Sequence, residues 1–158
     1  MNKLTPLPML LAVLSLVLAV AAACAPVSRP LPTAATPSGA ITNIVWQWTS
    51  VANRTTSATT TVPNPQSYTI IFREDGTVTG QADCNIFSGT YTQEGGFFIT
   101  ATPNVMAACG GDSLDQQYFE LLDAIVAGGP DGVGGLALET AGGEQRMTFA
   151  NGGPAPMP

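Results

Sequence analysis

The sequence predicts an α+β fold: a small antiparallel β-sheet or partly open barrel of about seven short strands, with one packed α-helix. Three observations carry this prediction. Short segments of alternating apolar and polar residues recur, turn-forming Gly residues separate them, and one segment changes to helical spacing. The chain has 158 residues with 17 Gly and 13 Pro, which indicates one domain built of short elements. Short hairpin links favour antiparallel pairing of the strands.

The first predicted strand places two tryptophans on one face. In the segment Ile44–Thr49, the alternation puts Ile44, Trp46 and Trp48 on the same side. Two exposed tryptophans would make an aromatic platform for a glycan, but a face shared with Ile44 favours burial in the core. Residues 54–65 are rich in Thr, Ser, Asn and Pro, and they predict a loop.

Two β-hairpins are predicted next. Residues 68–72 and 77–82 form the first pair of strands. Between them, Asp75-Gly76 predicts a type I′ turn, since that turn needs positive φ at both central residues. Residues 89–100 form the second hairpin around Glu94-Gly95-Gly96. Such short links require the paired strands to run antiparallel.

The single helix is predicted in the second half of the domain. Ser113 and Gln116 fit a capping box, in which the two side chains cap each other's backbone N–H groups. Apolar residues at helical spacing then form one face, namely Leu114, Tyr118, Leu121, Leu122 and Ile125. The sequence Gly128-Gly129-Pro130 predicts the end of the helix. Two more strands, residues 136–140 and 145–150, complete the domain.

The first 24 residues predict a secreted lipoprotein. Residues 1–23 have the short positive start, the apolar stretch and the small-residue cleavage region of a signal peptide. The sequence Ala21-Ala22-Ala23-Cys24 resembles a lipobox, where a signal peptidase cuts before a cysteine that carries a diacylglyceryl group. Leu is usual three residues before that cysteine, and Ala21 stands there instead. The alternative is an ordinary signal peptide followed by an unmodified Cys24.

Cleavage before Cys24 would leave three parts in the mature chain. Residues 24–40 form a tether rich in Pro, Ala and Thr, residues 41–150 form the domain, and residues 151–158 form a flexible tail. The tether cannot bury a core and extends to roughly 50 Å. The alternative is a disordered N-terminus without a role. With lipid on Cys24, we expect the membrane as a partner, and a location on the extracytoplasmic face of the cell envelope.

The charge balance argues against several partners and chemistries. Only 10% of the residues are charged, and there is no His. Cleavage before Cys24 would leave four Arg, eleven acidic residues and no Lys, a formal charge of −7. Binding of nucleic acid rests on Lys and Arg, so we expect none. Without His or Lys, neither a Ser-His-Asp set nor a Lys base can form. We expect no cofactor and no metal ion, and we expect the protein to be a monomer. The sequence does not identify a protein or small-molecule partner.

The middle of the domain resembles a known family. The pattern Gly80-x-x-x-Cys84-Asn85-x-x-x-Gly89-x-Tyr91, followed by Met106-Ala-Ala-Cys109, is similar to the META domain, also called the HslJ-like family of bacterial envelope proteins. The resemblance covers about residues 44–150. It implies an envelope location and a link to heat-shock response and novobiocin resistance, and it implies no catalytic residues. Residues 103–105 are Pro-Asn-Val, where the family often has Thr-Arg or Thr-Thr.

Cys84 and Cys109 are predicted to form a structural disulfide. The chain has three cysteines, and lipidation of one leaves a pair in an oxidising compartment. A reactive thiol is the alternative, but it needs a nearby cation or base to lower its pKa. A metal site would need more soft ligands than two cysteines.

Two functions from different classes are compatible with these residues. The first is a non-enzymatic envelope module that binds or shields something at the cell surface, with stress or antibiotic tolerance as the outcome. The second is a hydrolase of an envelope or extracellular polymer, for which only a pair of carboxylates could supply the chemistry. Asp83 is the one aspartate without an obvious structural role, and Asn85 is expected to bond the backbone of a turn. We predict no catalytic residue.

Overall fold

The computed structural model describes residues 41–157. The predicted signal peptide, Cys24 and the tether therefore lie outside the described residues. Within residues 41–157, no helix is both long and apolar enough to cross a bilayer.

Nine strands form one antiparallel sheet, and one helix packs against it. The elements are β1 (Ile44–Asn53), β2 (Ala58–Thr61), β3 (Tyr68–Phe72), β4 (Thr77–Ala82), β5 (Asn85–Thr92), β6 (Phe98–Pro103), α1 (Asp115–Asp123), β7 (Ile125–Pro130), β8 (Leu136–Thr140) and β9 (Gln145–Pro154). The strand order is β6-β5-β4-β3-β1-β9-β8-β7, and β2 pairs with β1 outside this path. The sheet curls into a half-barrel, so that Phe97 next to β6 donates a backbone hydrogen bond to Val126 of β7 at 2.8 Å.

The predicted α+β class, the antiparallel sheet and the single helix are confirmed, but the strand count is nine rather than about seven. One additional strand, β2, lies in the segment predicted to be a loop. All four of its residues are exposed, so no apolar alternation marks it in the sequence. It pairs with residues 50–53 of β1, which runs four residues further than its alternation indicates.

The other additional strand, β7, replaces the predicted end of the helix. Helix α1 ends at Asp123 and not at Gly128-Gly129-Pro130, which belongs to β7 and pairs with β8. Ile125 is buried as its spacing predicts, but it is the first residue of a strand. A buried residue at helical spacing does not distinguish these two cases, because the first residue after a helix can fill the same place in the core.

The predicted capping box is also wrong. The side chain of Ser113 accepts a hydrogen bond from the backbone N–H of Asp115 at 3.2 Å, rather than from that of Gln116. The N–H of Leu114 donates to the hydroxyl of Tyr68 on β3, at 2.8 Å. A side chain from the sheet therefore caps the start of the helix, which a local sequence motif does not reveal.

The two tryptophans lie in the core, as predicted. Trp46 and Trp48 are 2% and 0% exposed, and their indole N–H groups donate to the backbone oxygens of Ile41 and Ser50. Trp48 packs against Tyr118 of α1, with ring centroids 5.2 Å apart. Both indole N–H groups are hydrogen-bonded, so burial of the two rings stabilises the fold without the cost of an unpaired donor.

The turn at Asp75-Gly76 is present, but it is not of type I′. Only Gly76 has positive φ, at 82°, and its N–H donates to the oxygen of Arg73 at 3.1 Å. The hairpin link is therefore a three-residue turn with Gly in the left-handed position. The Asp75 carboxylate accepts hydrogen bonds from the hydroxyl and the N–H of Thr77, and these bonds hold the pKa of Asp75 below its usual value.

The predicted flexible tail is wrong over most of its length. Strand β9 continues through Pro154 and pairs with the start of β1. Beyond it, the N–H of Ala155 donates to Asn43 at 2.9 Å, and Arg73 donates to the backbone oxygen of Pro156 at 2.8 Å. The domain boundary near residue 150 is therefore too early, because a Gly- and Pro-rich sequence can still pair as a strand.

Two buried tyrosines generate the first testable prediction. The hydroxyl of Tyr118 has no hydrogen-bond partner among residues 41–157, whereas the hydroxyl of Tyr68 accepts the N–H of Leu114. We expect Tyr118→Phe to raise the free energy of unfolding by about 1 kcal/mol, since it removes an unsatisfied buried group. Tyr68→Phe should lower it by about 1–3 kcal/mol, because it leaves an N–H unpaired. Chemical denaturation of the two variants measures both changes.

The pH dependence offers a second readout of the same pair. Burial raises the pKa of Tyr118 well above its usual value. In the unfolded chain tyrosine ionises at pH ~10, so the folded state holds this proton more tightly and loses stability as the pH rises further. Tyr118→Phe should lose less stability than the unsubstituted protein above that pH. The assignment of an unpaired hydroxyl would be contradicted by two results together. These are an equal loss of unfolding free energy with rising pH in both proteins, and a Tyr118→Phe variant that is less stable than the unsubstituted protein.

Candidate functional site

A groove of about 730 Å³ lies between the segment joining β6 to α1 and one side of the helix. It is lined by Met106, Ala107, Ala108, Cys109, Gly110, Gly111, Ser113, Asp115, Gln116, Phe119 and Glu120. We call residues 106–111 the groove loop. This volume is in the range of about 300–1,000 Å³ typical of small-molecule sites.

A disulfide fixes the groove loop to the sheet. Cys84 lies in the two-residue link between β4 and β5, and it is bonded to Cys109 with a Cα–Cα distance of 5.7 Å. The predicted pairing is therefore present in the structure. The bond joins residues 25 positions apart and ties the floor of the groove to a hairpin turn.

Asn85 fixes the same loop through hydrogen bonds. This side chain is 1% exposed, and its amide nitrogen donates to the oxygen of Ala107 at 3.1 Å and to a carboxylate oxygen of Asp115 at 3.0 Å. Its amide oxygen accepts the N–H of Ala107 at 2.8 Å. Asn85 thus bonds the backbone, as expected, but 22 residues away rather than in its own turn. One buried side chain joins β5, the groove loop and the first turn of α1.

Asp83 has a structural role after all. It adopts φ of 57° in the link between β4 and β5, a conformation that Asp tolerates better than most residues. Its N–H donates to Ser67 at 2.7 Å, and its backbone oxygen accepts from Gln81 at 2.7 Å. Its side chain lies beside a neighbouring, smaller cleft rather than in the groove.

Large apolar side chains are exposed beside the groove. Val105 and Met106 are each 73% exposed, and Ile86 is 62% exposed. Ile86 lies beside Asn104, the residue that precedes this pair, since its backbone oxygen accepts the N–H of Asn104 at 2.9 Å. Phe119 forms part of the groove wall and packs against the core residue Phe87, with ring centroids 5.5 Å apart. Exposed apolar groups next to a concave surface are typical of a binding site.

The groove carries negative and no positive side chains. Asp115 and Glu120 line it, and no Arg does. Elsewhere in residues 41–157, Arg54 and Arg146 both pair with Glu139, at 2.8 and 2.6 Å. No group of three His, Cys, Asp or Glu side chains within these residues lies close enough together to hold a metal ion.

The disulfide generates the second prediction. Closing a loop of this length stabilises a fold by roughly 3–4 kcal/mol in the chain-entropy model, out of about 5–15 kcal/mol in total. We expect the double variant Cys84→Ser, Cys109→Ser to melt well below the unsubstituted protein. Thiol alkylation followed by mass spectrometry should find no free Cys84 or Cys109 in the native protein. Two free thiols, or an unchanged melting temperature, would revive the reactive-thiol alternative.

Comparison with known proteins gives one family and two structural neighbours. Residues 39–152 match the model of the META domain. No curated protein matches the sequence significantly. A DUF4847 family protein from Bacteroides vulgatus ATCC 8482 is 15% identical with a TM-score of 0.53, and the alignment covers 70% of this chain and 93% of that chain. A protein from Burkholderia xenovorans, solved by NMR, is 17% identical with a TM-score of 0.57, covering 81% of this chain and 94% of that one.

At these identities the structural likeness shows the fold alone. The family model is the stronger finding, because it spans residues 39–152 and so contains every described strand up to the last residues of β9. It also contains the disulfide, Asn85 and the groove loop. The protein belongs to the META domain family.

Proposed function

We propose that this protein is a non-enzymatic lipoprotein of the bacterial cell envelope that binds a small amphipathic molecule in the groove. Binding or shielding of such a molecule at the cell surface would contribute to stress or antibiotic tolerance. The observation that carries the proposal is the groove loop, which exposes apolar side chains while a disulfide and a buried amide hold it in place.

Rigidity of the groove loop supports binding. A connecting segment without regular structure is ordinarily mobile, and ordering it on binding reduces affinity. Here the Cys84–Cys109 bond and the hydrogen bonds of Asn85 order the loop before any ligand arrives. The exposed Met106 adds an unbranched side chain that adapts to ligands of different shape.

The lining indicates the chemistry of the ligand. Met106 and Phe119 offer an apolar surface, and Glu120 offers a carboxylate at the same groove. The formal charge of the whole chain is −6, so an anionic ligand would be repelled. A molecule with an apolar body and a cationic end fits both features.

The first described residues contact the end of β3 opposite the groove. Asn43, just before β1, donates its N–H to Phe72 at one end of β3. The groove side of the domain contacts the other end of β3, where the Tyr68 hydroxyl meets Leu114. The chain N-terminal to residue 41 therefore enters the domain at the end of β3 opposite the groove.

A carboxylate-dependent hydrolase of an envelope or extracellular polymer is the second candidate, favoured by the presence of Asp115 and Glu120 in one groove. Glycoside hydrolysis needs two carboxylates on opposite sides of the scissile bond. Asp115 and Glu120 both project from α1, and Asp115 already accepts the amide of Asn85. This arrangement supports binding better than catalysis.

The lipid anchor is tested by replacing Cys24 with Ser. We expect Cys24→Ser to move the protein from the membrane fraction to the soluble fraction of the envelope, because the diacylglyceryl group has lost its attachment site. Mass spectrometry of the unsubstituted protein should find an N-terminal peptide that begins with lipid-modified Cys24. If the N-terminal peptide of the unsubstituted membrane-bound protein carries an unmodified Cys24, the anchor is elsewhere.

The groove is tested with dodecyltrimethylammonium below its micellar concentration, a cation with an apolar tail, and with dodecyl maltoside as the neutral analogue. Calorimetry should show preferential binding of the cation. Met106→Ser should weaken binding by about tenfold, since part of an apolar side chain is no longer buried. Glu120→Gln should reduce the preference for the cation over the neutral analogue.

Matched controls lie far from the groove. Met157→Ser and Glu144→Gln make the same changes at exposed positions outside it. If the controls weaken binding as much as the groove variants, the site is elsewhere. If the unsubstituted protein hydrolysed an envelope glycan and Glu120→Gln abolished this activity, the hydrolase would replace the binding proposal.

A further inference from the structure

Asn151 is followed by Gly152 near the end of β9, and no other asparagine of the chain precedes a glycine. Both residues are exposed. The backbone nitrogen of a residue can attack the side-chain amide of an asparagine directly before it, and a glycine obstructs this attack least because it has no Cβ. The pair therefore lacks the steric protection that a larger following residue gives the other asparagines.

The strand is irregular at this pair. Asn151 is paired with Trp46 of β1, but the next paired residues are Pro154 and Ile44. One residue of β1 therefore lies opposite residues 152–153 of β9, which is a β-bulge. A bulge interrupts the regular ladder of hydrogen bonds, so the backbone between Asn151 and Pro154 is restrained less than the rest of β9.

The end of β9 also has a neighbouring strand on one side only. Among the described residues, β8 pairs with β9 no further than Phe149, whereas β1 continues beside it. A strand end with few partners opens locally more readily than the centre of a sheet. Water therefore reaches Asn151, and the backbone around it is free to make the small rotations that the attack requires.

A hydrogen bond folds the side chain of Asn151 towards its own backbone. Gly153 donates its N–H to Oδ1 of Asn151 at 2.8 Å. The ring that this bond closes contains both the side-chain carbon Cγ of Asn151 and the backbone nitrogen of Gly152, so the two reacting atoms are held in one compact turn. The same N–H stabilises the negative charge that develops on Oδ1 when a nucleophile adds to Cγ.

We propose that Asn151 is a site of spontaneous deamidation through a succinimide. The nitrogen of Gly152 gives up its proton and bonds to Cγ of Asn151, and the bond from Cγ to Nδ2 breaks as the amide group leaves with a proton as ammonia. Water then adds to either ring carbonyl and opens the ring to aspartate or isoaspartate. The net reaction consumes water and releases ammonia, without an oxidant or a reductant. Asn151 lies outside the groove lining, so this proposal does not depend on ligand binding there.

Isoaspartate at position 151 lengthens the backbone by a carbon atom, because the chain then runs through the former side chain. The residues that follow are held by specific contacts, since Pro154 pairs with Ile44 and the N–H of Ala155 donates to Asn43 at 2.9 Å. A longer backbone moves these residues out of register, so the end of β9 detaches from β1. Aspartate keeps the backbone length and a side-chain oxygen in the same place, so it leaves this pairing intact.

The test is incubation of the purified full-length chain in mildly alkaline buffer, with peptide mapping by mass spectrometry over time. The replacement of the amide by an acid changes the peptide mass, and enzymatic methylation identifies isoaspartate. We expect Asn151 to deamidate about tenfold or more faster than the exposed Asn43, Asn64 and Asn104 of the same chain. Asn151→Gln should abolish the reaction, because the longer side chain would have to close a larger ring.

Val105→Gly is the matched control, since it places a second exposed Asn-Gly pair in the chain, at Asn104. Oδ1 of Asn104 accepts the hydroxyl of Ser88 instead of a following backbone N–H. We expect Asn104 in this variant to react more slowly than Asn151. Two results would overturn the inference: equal or faster reaction at Asn104, or protection of Asn151 by more than about tenfold relative to the same chain unfolded in guanidinium chloride.

Hydrogen exchange of the Ala155 amide reports on the end of β9, because that N–H is bonded to Asn43. We expect this amide to exchange faster in the isoaspartate fraction of the incubated protein than in fresh protein or in Asn151→Asp. An unchanged exchange rate in the isoaspartate fraction would contradict the detachment of β9.

Discussion

The amide of Asn85 is the interaction on which the arrangement of this domain depends. It satisfies both backbone groups of Ala107 and one carboxylate oxygen of Asp115, and it does so while almost fully buried. A buried polar group without partners costs about 1–3 kcal/mol, so the β5 strand, the groove loop and the helix start cannot move apart independently. The neighbouring disulfide adds a covalent tie between the same hairpin and the same loop. The groove exists because these two restraints act on one segment.

The residues that carry the family resemblance have structural explanations. Gly80 lies opposite Phe87, whose ring occupies the space that a Cβ at position 80 would need. The hydroxyl of Tyr91 donates to the oxygen of Arg73 at 3.0 Å and braces the turn between β3 and β4. Cys84 and Asn85 hold the groove loop. The pattern therefore describes how the fold is held together, which explains why the resemblance implies a fold and no catalytic residue.

Sequence patterns predicted the features that depend on residues close together in the chain. The alternation around Trp46 and Trp48 identified a strand and its buried face, and the helical spacing identified Tyr118, Leu121 and Leu122 as buried. Cysteine parity identified the disulfide. The predictions failed where a residue far away in the chain determines the local structure. Tyr68 of the sheet caps the helix in place of the capping box, and pairing with β8 turns residues 125–130 into a strand. The groove could not be predicted, because it depends on a bond between Asn85 and a residue 22 positions away.

The distribution of charge divides the surface of this domain. Its charged side chains lie on the turns, on α1 and around β8 and β9, where Arg54, Glu139 and Arg146 form a small network. Seven of the nine described strands, all except β8 and β9, carry none. The acidic turns and helix therefore carry most of the charge of the described domain, and the strands contribute mainly uncharged groups. The groove beside α1 therefore lies in the acidic part of this surface, where Asp115 and Glu120 line it.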